Sequence, residues 1–271
     1  MKSKSLSVPF LIWSVIFIIV PMLFILAFAF TDDNFKFTLE NFSHLNNYIP
    51  VFLRSLKLSL ISTAICLFLG YPVGYIISKM KPKVQNIFVL LTMLPMWMNF
   101  LLRTYSWIKI LNTESGVLNT VLSALHLPTI NIMDTQFAIV LGMIYNFLPF
   151  MILPIYSVLA KMDTKVIEAA MDLGANKKQV FFKVVFPLSI PGIMTGLTMV
   201  FVPAISTFII SKLLGGGGAN MLIGDLIDMQ FLGNAYNPHL GSAISLILMI
   251  FILISMGIMR KFDSDETGGI M

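Results

Sequence analysis

Long blocks of apolar residues with almost no charge constrain this chain more than any other feature. Val8 to Phe30 runs without one charged side chain, and similar blocks recur at about 55–78, 84–104, 136–159, 187–210 and 240–259. Each is near the ~20 residues that carry a helix across the hydrocarbon of a bilayer. Only 11% of the 271 residues are charged and 57% are apolar, against roughly a quarter charged in a soluble domain. Such a composition cannot cover a globule in water. The expected architecture is therefore all-α, a single polytopic transmembrane bundle of six spans over residues 1–271. The stretch 105–135 is mixed in polarity and is expected to be an external segment with a short interfacial helix. Met1-Lys2-Ser3-Lys4 before Val8–Phe30 resembles a signal peptide, but the apolar run is too long for one and is expected to be a retained first helix.

The net charge of +5 sets orientation rather than implying nucleic acid. With the N-terminus inside, twelve cations fall on the cytoplasmic side: Lys2, Lys4, Lys79, Lys81, Lys83, Lys161, Lys165, Lys177, Lys178, Lys183, Arg260 and Lys261. Six fall outside: Lys36, Arg54, Lys57, Arg103, Lys109 and Lys212. The excess favours both termini in the cytoplasm, with Arg54 and Arg103 snorkelling from span ends. No Asp or Glu lies within a span, which argues against a carrier coupled to protons or ions at mid-membrane. The lone Cys66 pairs with nothing and is expected to pack. His44, His126 and His239 are expected in external loops without metal spacing. Gly215 to Gly218 lacks the Lys-Ser/Thr of a phosphate loop and is expected to be a flexible connection.

Residues 161–187 have a different character. Asp163 is placed to cap a short helix, Val166, Ile167, Ala170 and Leu173 keep helical apolar spacing, and Gly174 stands where a left-handed residue ends it. Asn176 and Gln179 then suit a capping box for a second helix, and Pro187 opens the fifth long block. The pattern Glu168-Ala169-Ala170, Gly174, then Val184-Val185-Phe186-Pro187 resembles the EAA signature of ABC importer permeases, with Phe186 where the family has leucine. The resemblance implies a type I ABC importer (MetI-like) permease fold, in which loop 161–186 couples to an ATPase. Glu168 would supply a polar contact, Ala169 and Ala170 close approach, and Gly174 the turn. The chain would hold no ATPase site or cofactor itself, ATP being bound by partner subunits.

Leu94-Pro95-Met96-Trp97, Leu102-Arg103-Thr104-Tyr105-Ser106-Trp107, Leu148 to Tyr156 and Leu222 to Ile227 are similar to spermidine/putrescine permeases. That family implies a second permease subunit, two ATPase subunits, an external substrate-binding protein, and a place in the bacterial inner membrane. A polyamine needs carboxylates or aromatic faces. Trp97, Tyr105, Trp107, Tyr145, Tyr156, Asp225 and Asp228 are the candidates for the pathway, with Glu114 nearby. The same rings more readily suit an interfacial aromatic belt. Permeases for iron, sulfate or thiamine share the loop and remain the alternative, followed by a proton-coupled carrier.

Overall fold

A computed structural model describes residues 8–233 and 235–267. Lys2 and Lys4, counted above for orientation, lie outside the described residues. Five helices are long and apolar enough to cross a membrane, or six when one bent pair is taken as a span. In chain order the helices are α1 (Val8–Ala29), α2 (Glu40–Ser78), α3 (Pro82–Trp97), α4 (Phe100–Leu111), α5 (Val117–Ala124), α6 (Gln136–Ala160), α7 (Thr164–Asp172), α8 (Lys177–Ser206), α9 (Ile209–Leu214), α10 (Ile223–Leu232) and α11 (Pro238–Thr267). No β-strand forms among the described residues beyond one antiparallel bridge, Thr31 with Phe37.

The core is the triple packing of α2, α6 and α8, filled by Met143, Met151, Ile155 and Val200, all fully buried. Lipid tails are as apolar as these side chains, so close approach rather than the hydrophobic effect must hold membrane helices together. The sequence provides for it with two Gly-x-x-x-Gly pairs that grip α6 from both sides. A Cβ on Gly74 of α2 would stand 3.3 Å from the backbone oxygen of Ile152, and one on Gly192 of α8 would stand 2.9 Å from that of Pro154. Gly70 and Gly196 both abut Met151. By contrast α1 is apolar and exposed along its length, as at Phe10, Trp13, Phe17 and Phe24. It meets the rest of the bundle mainly along α11.

Prolines mark where regular geometry yields. The π-turns at Val15–Ile19 in α1 and Phe181–Val185 in α8 end two residues before Pro21 and Pro187, respectively. A proline has no N–H for the carbonyl four residues back, and its ring crowds that turn, so the preceding ladder widens.

Two expected spans are not straight. The block at 84–104 divides into α3 and α4, which cross at 88°. The break falls at Met98, whose backbone is extended, and Asn99 restarts the chain by accepting the amides of Leu101 at 2.9 Å and Leu102 at 3.4 Å. The block at 187–210 likewise stops at Ser206 and resumes as α9 after Thr207 and Phe208. Gly224 at the start of α10 closes against that gap, where a Cβ would lie 2.5 Å from the carbonyl oxygen of Ser206. Within the mixed segment, α5 is the short helix expected there.

His239 is not in a loop. It is the second residue of α11 and is buried, with Nδ1 3.0 Å from the carbonyl oxygen of Phe28 at the end of α1 and Nε2 3.4 Å from Asp33.

Candidate coupling loop and candidate pathway residues

The turn between α7 and α8 is built entirely from local hydrogen bonds. The Asp163 carboxylate accepts the Lys165 amide at 2.9 Å and starts α7. At the far end Gly174 takes φ +87°. Its N–H donates to Met171 O at 2.9 Å, and the Ala175 N–H donates to Ala170 O at 3.1 Å. This is a Schellman closure, which satisfies helix-end carbonyls and requires a left-handed residue at Gly174. Asn176 and Gln179 then exchange bonds of 2.9 and 2.8 Å in a capping box that starts α8. Ala170 thus serves twice: its carbonyl closes the corner and its side chain packs against the core.

The corner has two faces. Ile167, Ala170 and Ala175 pack inward, while Val166, Glu168, Ala169, Met171 and Leu173 point out. Leu173 is 89% exposed at the tip. Such an apolar rim beside the exposed carboxylates of Glu168 and Asp172 suits a protein groove.

The corner is tied to the spans through aromatic rings. Phe181 of α8 stands edge-on to Tyr71 at 6.0 Å and to Tyr75 at 5.4 Å, both on α2. The Tyr71 hydroxyl meets Ser189 Oγ at 3.0 Å. Pro187 lies beside these contacts at the end of the π-turn. These contacts join the base of the corner to α2 and α8 together.

The pathway candidates do not form one cluster. Trp107 and Tyr145 do meet, edge to face at 5.2 Å, but a cation is already present: the Arg103 guanidinium lies 5.9 Å from the Tyr145 ring and 5.7 Å from Phe100. Arg103 does not snorkel. It is buried, and Nη1 donates to the carbonyl of Pro95, bracing the bend between α3 and α4. Trp97 and Tyr105 are exposed on α3 and α4. Tyr156 is elsewhere altogether. Its hydroxyl donates to Gln85 Oε1 at 3.2 Å, and Gln85 Nε2 in turn clips the α2–α3 turn at Ser78 O and Met80 O. Fourteen residues of α6 separate Tyr156 from Gly142, which packs on α9, about 20 Å of helix at ~1.5 Å per residue.

Asp225 and Asp228 come together on α10, facing α9. Asp228 pairs with Lys212 at 3.1 Å. Asp225 is 7% exposed, and its Oδ2 accepts the Leu222 amide at 2.8 Å. Burial pushes its carboxyl above the ordinary range, and the nearby Asp228 adds to this; the Leu222 amide and Lys212 pull it down. Glu114 is exposed after α4. Gly216, Gly217 and Gly218 form a turn with positive φ at each. Lys212 and Arg103 are the partners that sequence reasoning missed. An N-cap asparagine four residues before Arg103 was the one local signal of the bend.

The multi-span bundle thus carries a capped corner at one end and polar residues at the other. Residues 70–266 match the family of binding-protein-dependent transport system inner membrane components, and the chain belongs to that family. It is accordingly a permease component of an ABC transporter, with ATP hydrolysis the work of partner subunits. It is 40% identical to the spermidine/putrescine transport system permease protein PotB of Haemophilus influenzae, over 89% of this chain and 87% of that one. PotB of Escherichia coli K12 is also 40% identical, over 88% and 89%. Among solved structures, a chain of a bacterial ABC transporter that imports the acidic polysaccharide alginate superposes with a TM-score of 0.75 at 18% identity, covering 95% of this chain and 94% of that one. The fold is that of type I importer permeases.

Proposed function

We propose that the chain is one of the two permease subunits of an ATP-driven polyamine importer, taking up spermidine or putrescine. The observation that carries the substrate class is 40% identity to PotB along nearly the whole of both chains. The partners would be a second, PotC-like permease subunit, two PotA-like ATPases that bind the ATP, and a PotD-like external binding protein. A homologous fold has been captured with a substrate-bound periplasmic protein in the alginate system, which supports a delivery subunit here. Both termini would face the cytoplasm, so α7 would meet the ATPase and α9–α10 the external side.

In this reading α7 seats in the ATPase, with Glu168 making the polar contact, Ala169 and Ala170 permitting close approach, Gly174 holding the corner and Pro187 easing the joint to α8. Closure of the ATPase pair tilts α7, and Phe181 passes the tilt to α2. Trp97 and Tyr105 offer open rings to a passing ammonium, Asp225 and Asp228 a carboxylate pair. Trp107 and Tyr145 border the path with Arg103 over the Tyr145 ring, and Tyr156 braces the fold.

The test is ATP-dependent uptake by the reconstituted complex with its binding protein, comparing labelled spermidine and putrescine with sulfate, iron and thiamine. Uptake of a polyamine alone supports the reading. Uptake of one of the other solutes instead transfers the same machine to that cargo.

A further inference from the structure

Three charged side chains, Lys212, Asp225 and Asp228, gather at the α9–α10 junction. Asp225 and Asp228 are three residues apart on α10, hence neighbours on one face of the helix. Across from them, Lys212 of α9 holds Asp228 Oδ2 at 3.1 Å. That uses one carboxylate. The other, Asp225, has its Oδ2 on the Leu222 amide, but its Oδ1 is buried with no hydrogen-bond partner. Ser211 stands beside it, yet directs its proton to the Phe208 carbonyl at 3.0 Å. An unpaired carboxylate oxygen out of water is costly and calls for a donor.

The surroundings suit a cationic ligand. Both carboxylates line a cavity of about 250 Å³ together with Lys212, Met221, Met229 and the bare backbone of Gly217 and Gly218. Both glycines have positive φ, and a Cβ added to either would meet nothing within 4 Å, so that rim is open. The methionines give flexible apolar walls of the kind that accept varied methylene chains. Two carboxylates face one ammonium, so the site keeps a net negative charge. The resident ammonium is also loosely held. The Lys212 side chain is 64% exposed, and an ion pair so open to solvent is weak.

Lys212 is chemically a four-carbon chain ending in a primary ammonium. We propose that Asp225 and Asp228 form a binding site for a primary alkylammonium, that Lys212 occupies it in the resting permease, and that an ammonium of the incoming substrate displaces Lys212. This rests on the polyamine reading above. The displaced side chain swings into solvent, the substrate takes its place on Asp228, and the free oxygen of Asp225 gains a donor. Lys212 then acts as a tethered competitor, which keeps the site from lying empty and lowers its affinity enough for release.

The test is equilibrium binding of radiolabelled spermidine to the assembled transporter in nanodiscs, without the binding protein. Lys212→Met tightens binding about threefold, the scale of an exposed ion pair lost to competition. Asp225→Asn weakens it about tenfold, the scale of one charge-assisted hydrogen bond. Lys212→Met added to Asp228→Asn changes binding no further, because Lys212 competes only for Asp228. Lys212→Arg, which keeps the charge, does not tighten binding, and co-purification of the partner subunits reports assembly. Unchanged or weaker binding in Lys212→Met overturns the proposal, and so does the absence of binding to wild-type and variant complexes alike. Uptake by the wild-type complex separates the two claims. If no polyamine is transported, the functional reading fails. If polyamine is transported and Lys212→Met binds as wild type does, only the displacement fails.

Discussion

The two ends of the bundle are built on opposite principles. At the α7 corner the backbone is closed by its own neighbours: Asp163, the Schellman bonds at Gly174 and the Asn176–Gln179 box leave the turn internally satisfied. The helices behind it are locked by glycines on both sides of α6. At the α9–α10 end the helices are broken, Asp225 keeps an unpaired oxygen, and Lys212 is mostly exposed. Near it, Arg103 has a buried Nε without a partner. The first end is closed on itself. The second holds groups whose best partners are not in the resting chain. A permease needs both, since force must enter without being absorbed and cargo must be held without being kept.

The largest effect is expected where the lever meets the core. Gly192→Leu forces a side chain against the backbone of Pro154 and Ile155 and should cost ~1–3 kcal/mol through overpacking. Loss of assembled complex in membrane extracts checks this, and wild-type levels would mean that α6 and α8 separate easily. Gly174→Val comes next. A β-branched residue at φ +87° should cost ~1–2 kcal/mol locally. Because the strain falls on the corner alone, the spans should insert normally while uptake falls by an order of magnitude or more. Glu168→Lys should do the same to uptake without strain, and stimulation of ATP hydrolysis by loaded binding protein should disappear.

At the other end the expected effects are smaller and depend on pH. The Asp225 carboxyl is raised in the folded chain. Between the ordinary carboxylate value and that raised value the folded state binds more protons than the unfolded one, so stability must fall as pH rises through the window. Asp225→Asn should remove that part of the slope in thermal unfolding followed in detergent from acid to neutral pH. An unaltered profile would mean that the burial carries no energetic consequence. The smallest change is Tyr156→Phe, which loses one hydrogen bond to Gln85, about 1 kcal/mol, and should leave transport untouched. A transport defect with normal assembly would return Tyr156 to the pathway.

The contrast also explains which features were legible in the sequence. The corner was, because its logic is local: Asp163, Gly174, Asn176 and Gln179 act on backbone groups within five residues. The apolar blocks were, because length and charge alone decide them. The bend at Met98 was missed because Asn99, a good cap, was embedded in an unbroken apolar pattern. Arg103 seemed an interfacial cation because nothing local announces the Pro95 carbonyl that it reaches after the chain turns by 88°. Lys212 with Asp228, and Tyr156 with Gln85, pair across 16 and 71 residues, distances at which sequence pattern is silent. Five rings chosen for one chemistry were therefore distributed among three settings: exposed, packed with an arginine, and bracing a turn.

The central claim is that the α7 corner is where the ATPase engages. It is tested most directly by a photo-crosslinking residue at Leu173, with one at Leu232 as its counterpart. Both positions are more than four-fifths exposed, and Leu232 ends α10 on the other side of the bundle. Irradiation of membranes holding the whole transporter should join Leu173 to the ATPase subunit, with a yield that changes on adding ATP and vanadate, and should not join Leu232 to it. Capture of the ATPase from Leu232, or of lipid alone from Leu173, would contradict the account.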